Sequence, residues 1–152
     1  MIKVYADTSV FGGVFDEEFS EPSKKFFEEV QSGRFLLVTS AIVQAEIEAA
    51  PQKVCDFFQQ YTGLVDIAEI SQKVLELRQA YLDANIVTIN SIDDAAHVAV
   101  ASVSKCQMIV SWNFRHIVHF EKIPQYNAVN IIMGYDHIDI YSPLEVIQYD
   151  ES

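Results

Sequence analysis

Short apolar runs alternate along this chain with longer segments of helical periodicity. The first run, Ile2 to Ala6, ends abruptly at Asp7-Thr8-Ser9, which is typical of a buried strand that delivers polar groups at its carboxyl end. Strands that alternate with helices predict a parallel sheet covered by helices on both faces. The length of 152 residues, half of them apolar, predicts one domain over residues 1–152.

The other predicted elements follow from capping residues and apolar patterns. Further strands are predicted at Phe35 to Val38, Met108 to Ser111 and Ile138 to Tyr141. Gly12-Gly13 is expected to break the chain after the first strand. Helices are predicted to begin at Ser20, Ser40, Pro51, Ser71 and Ser91, with a short helix over Phe114 to Phe120. The segment from Ile92 to Ser104 is small or apolar nearly all round, which predicts a helix sandwiched between the sheet and another helix.

The helix that begins after Ser40 carries a carboxylate, Glu46, on its predicted apolar face. At 3.6 residues per turn, the apolar side chains of this segment cluster around Glu46. A buried carboxylate without a partner costs more free energy than one helix contributes. We therefore expect Glu46 to pair with a cation, to be protonated, or to bind a metal. A salt bridge to Arg78 or a lysine is the structural alternative.

Four polar residues share a predicted place in the fold. Asp7, Glu46, Asp94 and Asn113 each fall at the carboxyl end of a strand or in the helix turns that follow one. In open α/β sheets, this edge is where ligands bind. Convergent carboxylates supply the oxygen ligands that magnesium prefers, and magnesium keeps several waters for exchange with substrate phosphate. The residues therefore indicate a metal site that contains Asp7, Glu46 and Asp94.

Each of these residues also has a structural explanation. Asp7 can cap the turn after the first strand, and Asn113 can cap the helix predicted at Phe114. Asp94 lies three residues after Ser91, where a capping-box carboxylate would lie. Only the coincidence of all four at one edge of the sheet favours a functional site.

Neighbouring residues can support this site. Thr8 and Ser9 can orient the Asp7 carboxylate by hydrogen bonds, or they can simply form the turn. His97 lies one helix turn beyond Asp94 and can carry a proton or contact phosphate, although a buried core histidine is the more frequent role. Asp93 points about 100° away from Asp94 on the helix, so at most one of the two faces the site.

The composition limits the partners of the chain. Twenty-two acidic and ten basic residues give a net charge of −12, which argues against broad nucleic-acid binding and suits cations or a basic protein partner. Arg115 and His116 form a local basic cluster that can contact phosphate. The absence of a signal peptide and of a membrane-length apolar run predicts a cytoplasmic protein, in which Cys55 and Cys106 are reduced.

In their order and spacing, these residues resemble the PIN-domain ribonucleases, in particular the VapC-type toxins of bacterial toxin–antitoxin pairs. The matching stretches are Tyr5 to Val10, Ser40 with Glu46, Asp94 to Ala99, Ile109 to Asn113 and Tyr141 to Glu145. Together they span nearly the whole chain. The resemblance implies a three-layer α/β/α domain with a parallel sheet of about five strands.

The resemblance also implies an activity. Family members hydrolyse RNA with an acidic cluster that binds Mg²⁺ or Mn²⁺ and activates a water. Asp7, Glu46 and Asp94 match the acidic ligands, and Asn113 is expected to bind the metal in place of the fourth acidic residue of many members. The expected partners are an RNA substrate, a small antitoxin and a second copy of the chain in a homodimer, with no membrane. The rival interpretation is a catalytically weak or silent PIN-like protein that acts by binding a protein partner.

Overall fold

A computed structural model describes residues 1–150, so the last two residues of the predicted domain 1–152 lie outside the described residues. The strands are β1 (Ile2–Ala6), β2 (Phe35–Ser40), β3 (Val65–Ala68), β4 (Met108–Val110) and β5 (Asp139–Tyr141). The helices are α1 (Thr8–Gly13), α2 (Ser20–Gln31), α3 (Ala41–Glu48), α4 (Gln52–Gln60), α5 (Gln72–Asp83), α6 (Ile92–Val103), α7 (Lys122–Ile132) and α8 (Pro143–Val146).

The strands form one parallel sheet in the order β3-β2-β1-β4-β5. The chain adds β2 and β3 on one side of β1 and then crosses over to add β4 and β5 on the other. This reversal opens a crevice between the carboxyl ends of β1 and β4, which is where open α/β sheets bind ligands. Ala6 pairs with Val110 in the register of these strands, so Asp7 and Ser111 leave the sheet side by side.

The helices form two groups. Helices α1, α2, α3, α4 and α8 contact one another, whereas α5 contacts α6 and α7. Both groups also contact the sheet, so the predicted three-layer α/β/α fold with a five-stranded parallel sheet is confirmed.

Helix α6 confirms the prediction of a sandwiched segment. Its residues from Ala95 to Ser102 are all buried, and the helix contacts α5 as well as strands β2 and β4. Small side chains allow this close approach from both sides. Asp94, one residue before the buried stretch, is thereby held at the edge of the core.

Two expectations about local structure were wrong. Gly12 and Gly13 do not break the chain but complete α1, and Phe114 to Phe120 forms turns instead of a helix. The turn forms because the side-chain oxygen of Asn113 accepts from the backbone N–H of His116 at 3.0 Å. In addition, strand β3 and helix α7 were not anticipated.

Two further features concern the helices and the cysteines. Within residues 1–150, no helix combines the length and apolar character needed to cross a membrane. Cys55 and Cys106 are both free thiols.

Candidate metal centre

Asp7 lies at the carboxyl end of β1 and is held by two serines. Its side chain is only 4% exposed. Ser9 Oγ donates to Oδ1 at 2.6 Å, and Ser111 Oγ donates to Oδ2 at 2.8 Å. The serine oxygens in turn accept from the backbone N–H groups of Trp112 and Asn113, both at 2.9 Å. The ends of β1 and β4 are thus joined through the Asp7 carboxylate, which makes no side-chain cap of α1.

Asp94 and Asn113 contact each other across the crevice. Asn113 Nδ2 donates to Asp94 Oδ1 at 2.9 Å, which links the first turn of α6 to the loop after β4. No capping box forms at Ser91, whose hydroxyl contacts His116 Nε2 at 3.2 Å instead. Asp93, the neighbouring carboxylate, is exposed. The helix phase inferred from the sequence therefore places Asp94, not Asp93, at this edge.

The expected burial of Glu46 on an apolar helix face was wrong. Helix α3 ends at Glu48 and buries only Val43 and Ile47, so the apolar face is narrower than the sequence suggested. The Glu46 side chain is 40% exposed, and its Oε1 accepts from His97 Nε2 at 2.8 Å. Its partner is therefore His97, not Arg78 or a lysine.

The remaining predicted residues differ in their contacts and exposure near the carboxylates. Thr8 Oγ1 is buried and lies close enough to Glu46 to help lower the pKa of that carboxyl. Burial raises the pKa of Asp94, and His116 lies close enough for its charge to oppose that rise. The Nδ1 atom of His116 is buried without a partner in residues 1–150. Arg115 is exposed, and the structure gives its side chain no contact with the carboxylates.

The three carboxylates interact electrostatically. Burial raises the pKa of Asp7 and of Asp94, and the charge of Glu46 raises both further. Burial also acts to raise the pKa of Glu46, but the hydrogen bond and charge of His97 outweigh it and lower that pKa. Desolvation acts to lower the pKa of His97, but Glu46, Asp7 and Asp94 together outweigh it and raise that pKa. Excess negative charge therefore concentrates in the crevice.

This donor set fits a divalent cation in its chemistry. Carboxylate oxygens are the ligands that Mg²⁺ and Mn²⁺ prefer, and the mutual repulsion of these carboxylates would be relieved by a cation. The side chains do not yet converge, because no three acidic, histidine or cysteine groups in residues 1–150 are arranged around one point. Binding would require Asp7, Glu46 and Asp94 to approach one another.

Sequence reasoning missed three polar residues at this site. Ser111 follows β4 as Ser9 follows β1, so its place at a strand end was a readable signal. Tyr5 lies within an apolar strand and Ser40 was identified as a helix cap; both fall in the stretches that match the PIN family, but neither was assigned a role in the site. The structure places the Tyr5 hydroxyl 2.8 Å from Ser40 Oγ and 2.7 Å from His97 Nδ1.

Asn113 offers a direct test of the site. We expect Asn113→Asp to lower the free energy of unfolding by about 2 kcal/mol without metal, because a carboxylate oxygen replaces the N–H donor that faces Asp94. With Mn²⁺ the same charge should raise the metal affinity, since it adds an anionic ligand. Calorimetric titration and thermal melting with and without Mn²⁺ measure both effects.

The matched control is Gln60→Glu, which makes the same amide-to-carboxylate change on an exposed part of α4. It should leave both the stability and the Mn²⁺ affinity nearly unchanged. An Asn113→Asp variant with unchanged Mn²⁺ affinity would place residue 113 outside the metal site.

Comparisons with solved structures agree with this architecture. The chain superposes on VapBC2 from Rickettsia felis bound to a DNA fragment from their promoter with a TM-score of 0.61, at 12% identity over 93% of this chain and 98% of the other. For FitAcB from Neisseria gonorrhoeae the TM-score is 0.58, at 12% identity over 94% and 99% of the two chains. For a toxin–antitoxin complex from Klebsiella pneumoniae it is 0.56, at 18% identity over 74% and 88%.

These likenesses establish the fold. No protein-family model matches the chain, and no curated protein matches it significantly. The chain has the PIN-like fold, and its resemblance to VapC-type toxins is confirmed at that level.

Proposed function

We propose that this chain is a metal-dependent endoribonuclease and the toxin component of a toxin–antitoxin pair, folded as a single PIN-like domain over residues 1–152. The observation that supports the proposal is that Asp7 and Asp94 lie at the carboxyl edge of the sheet, close enough to Glu46 for its charge to raise the pKa of both. The same fold occurs in structures of toxin–antitoxin complexes.

Asp7, Glu46 and Asp94 would hold Mg²⁺ or Mn²⁺ between them. When bound, such an ion activates a water and stabilises the charge that develops on the phosphodiester. Ser9 and Ser111 fix both oxygens of Asp7, so this ligand is oriented before anything binds. Asn113 orients Asp94 by its amide N–H, while its oxygen is engaged by the turn. For Asn113 to bind the metal, its side chain must rotate so that its oxygen leaves the backbone N–H of His116 and faces the site.

His116 and Arg115 are the proposed contacts for the RNA. His116 lies close enough to Asp94 for its charge to act on that carboxyl, and its Nε2, which now contacts the Ser91 hydroxyl, is the ring nitrogen that would donate to a phosphate oxygen next to the metal. Arg115, the preceding residue, is exposed and can contact the phosphate backbone of the RNA farther from the metal. These local cations would have to overcome the net charge of −12.

A cleavage assay tests the proposal. Purified protein should cut a circular single-stranded RNA in the presence of Mn²⁺ and not in EDTA, because only an endonuclease opens a circle. Asp94→Asn should reduce the rate more than about 100-fold while the protein stays folded, since Asn can still accept from Asn113 but supplies no charge.

The control for this variant is Asp93→Asn, which removes the same charge one residue away at an exposed position. Its cleavage rate should stay within about twofold of the parental rate. Equal losses in the two variants would show that net charge, not the crevice, controls cleavage. Cleavage that persists in EDTA would contradict the metal requirement.

The second candidate function is a PIN-like protein that binds a protein partner without cutting RNA. Two observations favour it: the Asn113 oxygen is occupied by the backbone, and no three ligands converge in the described residues. Mn²⁺ binding that depends on Asp7, without cleavage of any RNA tested, would support this candidate over the nuclease.

The proposed partners are a small antitoxin and a second copy of the chain. The end of α7 exposes three consecutive apolar side chains, with Ile131 66%, Ile132 81% and Met133 43% exposed. Such a patch is typical of an interaction surface. Light scattering coupled to size exclusion should therefore give twice the mass of the chain.

A further inference from the structure

A continuous chain of hydrogen bonds runs from the start of α3 through the core to Glu46. The backbone N–H of Val43 donates to Ser40 Oγ, and the Tyr5 hydroxyl lies 2.8 Å from the same oxygen. Tyr5 Oη lies 2.7 Å from His97 Nδ1, and His97 Nε2 lies 2.8 Å from Glu46 Oε1. Tyr5 and Ser40 are fully buried, and His97 is 3% exposed.

The donors of this chain can be ordered without a conflict. Ser40 accepts from Val43 and donates to Tyr5, Tyr5 donates to His97 Nδ1, and His97 Nε2–H donates to Glu46. Each hydroxyl then uses its single hydrogen, and each ring nitrogen of His97 is satisfied. Because the Glu46 carboxylate only accepts, Nε2 carries a hydrogen whether or not Nδ1 does.

The chain connects the three segments that carry the carboxylates. Tyr5 lies on β1 two residues before Asp7, His97 lies on α6 one turn after Asp94, and Ser40 begins the helix that carries Glu46. The hydrogen bonds therefore link the start of α3 to β1, β1 to α6, and α6 back to Glu46 on α3. A shift of any one segment would break a buried contact.

The hydrogen bond to Glu46 is not needed to satisfy a buried carboxylate. Glu46 is 40% exposed, so water could solvate its oxygens, whereas His97 is almost completely buried. His97 is held in the core, and its bond to Glu46 extends from the core toward the site. The bond satisfies the buried Nε2–H of His97 and at the same time holds Oε1 of the half-exposed Glu46.

We propose that Tyr5 and His97 are a positioning pair that holds Oε1 of Glu46 against α6, one helix turn from Asp94, so that only small side-chain movements are needed for Asp7, Glu46 and Asp94 to share one cation. This inference rests on the proposed metal-dependent function and adds to it two residues that touch no substrate. Groups that orient a metal ligand by a hydrogen bond typically contribute about 10- to 100-fold in metal affinity.

Two substitutions at residue 97 separate the two bonds. In His97→Gln, the side-chain amide nitrogen can take the place of Nε2 and donate to Glu46, while the partner of Tyr5 is lost. In His97→Asn, the shorter amide can take the place of Nδ1 and contact Tyr5, while the partner of Glu46 is lost. Both variants remove the imidazole ring, so both lose similar core packing.

Mn²⁺ titration by calorimetry is the main measurement, with melting of the metal-free proteins as the readout of folding. We expect His97→Gln, which keeps the bond to Glu46 but loses the anchor on Tyr5, to bind Mn²⁺ about three- to tenfold more weakly than the parent, and His97→Asn, which loses the bond to Glu46, to bind more than about tenfold more weakly. The metal-free melting temperatures of the two should be similar, apart from the slightly lower helix propensity of Asn.

Tyr5→Phe is the second test and does not depend on either histidine variant folding. It removes the hydroxyl that anchors His97 Nδ1 and should weaken Mn²⁺ binding about three- to tenfold. Tyr81→Phe is its control, because the buried Tyr81 hydroxyl contacts Asn130 and Ser102 and no carboxylate. Both variants lose one buried hydroxyl, and only Tyr5→Phe should change the Mn²⁺ affinity.

Equal Mn²⁺ affinities of Tyr5→Phe and Tyr81→Phe, with the parental protein binding normally, would overturn the positioning role and leave the proposed nuclease function intact. Equal affinities of the Gln and Asn variants at residue 97 would have the same meaning. A parental protein that binds no Mn²⁺ would overturn both proposals. Weaker binding in His97→Asn than in His97→Gln, at matched stability, would support the pair.

Discussion

Substituting Gly13 with Ala should destabilise the fold by about 1–3 kcal/mol, the cost of overpacking a buried site. A Cβ at Gly13 would lie 2.6 Å from Ser23 Oγ and 2.7 Å from Trp112 Nε1, closer than a Cβ atom comes to a non-bonded heavy atom in proteins. These two atoms form a buried hydrogen bond of 2.8 Å, which the methyl group would push apart. Trp112 is the only tryptophan, so denaturant unfolding followed by its fluorescence measures the effect and reports the displaced ring.

Gly12→Ala is the matched control for this prediction. A Cβ at Gly12 meets no atom within 4 Å, and alanine stabilises a helix interior by about 0.5–1 kcal/mol relative to glycine. The two variants should therefore shift the unfolding midpoint in opposite directions. Similar midpoints would contradict the close contact between α1 and Trp112.

A double substitution sharpens the test. Ser23→Ala alone leaves Trp112 Nε1 without its acceptor, whereas Gly13→Ala with Ser23→Ala also removes one of the colliding atoms. The double variant should lose less free energy of unfolding than the sum of the single variants. Losses of unfolding free energy that are fully additive would show that Ser23 Oγ takes no part in the collision with the added methyl group.

The same glycines explain why the sequence concealed α1. Consecutive glycines usually interrupt a helix, because each one loses more conformational entropy than alanine. The helix includes a glycine at position 13 because the neighbouring Trp112 leaves no room there for a side chain. That reason lies in a contact distant along the chain, and no local pattern contains it.

The sheet was predictable in its buried strands and not at its edge. β1 and β2 are apolar runs that lie largely within the core, and such runs are readable from the sequence. β3 (Val65–Ala68) is a short edge strand whose central residues, Asp66 and Ile67, are both exposed. An edge strand of this kind carries neither the apolar run nor the alternation that would reveal it.

The site shows the same division. The positions of Asp7, Asp94 and Asn113 at one edge followed from topology, because parallel strands end at a common edge. The environment of Glu46 did not follow, since its partner His97 comes from another element and α3 is too short to bury it. Local sequence patterns predict the order of strands and helices, whereas the hydrogen-bond partner of a side chain depends on how the elements pack against each other.

Asp7 should show opposite effects on stability and activity, and this is the largest functional change we expect. Asp7→Asn should reduce metal-dependent RNA cleavage more than about 100-fold, because a buried anionic ligand is lost. At neutral pH the metal-free variant should be more stable than the parent. Burial raises the pKa of Asp7 above its unfolded value of 3.8, so its ionised form is less favourable in the folded state.

The pH dependence follows from the sign of this shift. The folded state holds the Asp7 proton more tightly than the unfolded state, so the stability of the parent falls as pH rises from about 3.8 through the folded pKa. The variant lacks this loss. The difference in unfolding free energy should therefore be small at acidic pH and reach its full size at neutral pH, and chemical denaturation across this range measures it.

Asp93→Asn, exposed and outside the crevice, should show neither the loss of cleavage nor the pH-dependent gain. An Asp7→Asn protein that is less stable than the parent at neutral pH would mean that the two serines stabilise the charge more than burial opposes it.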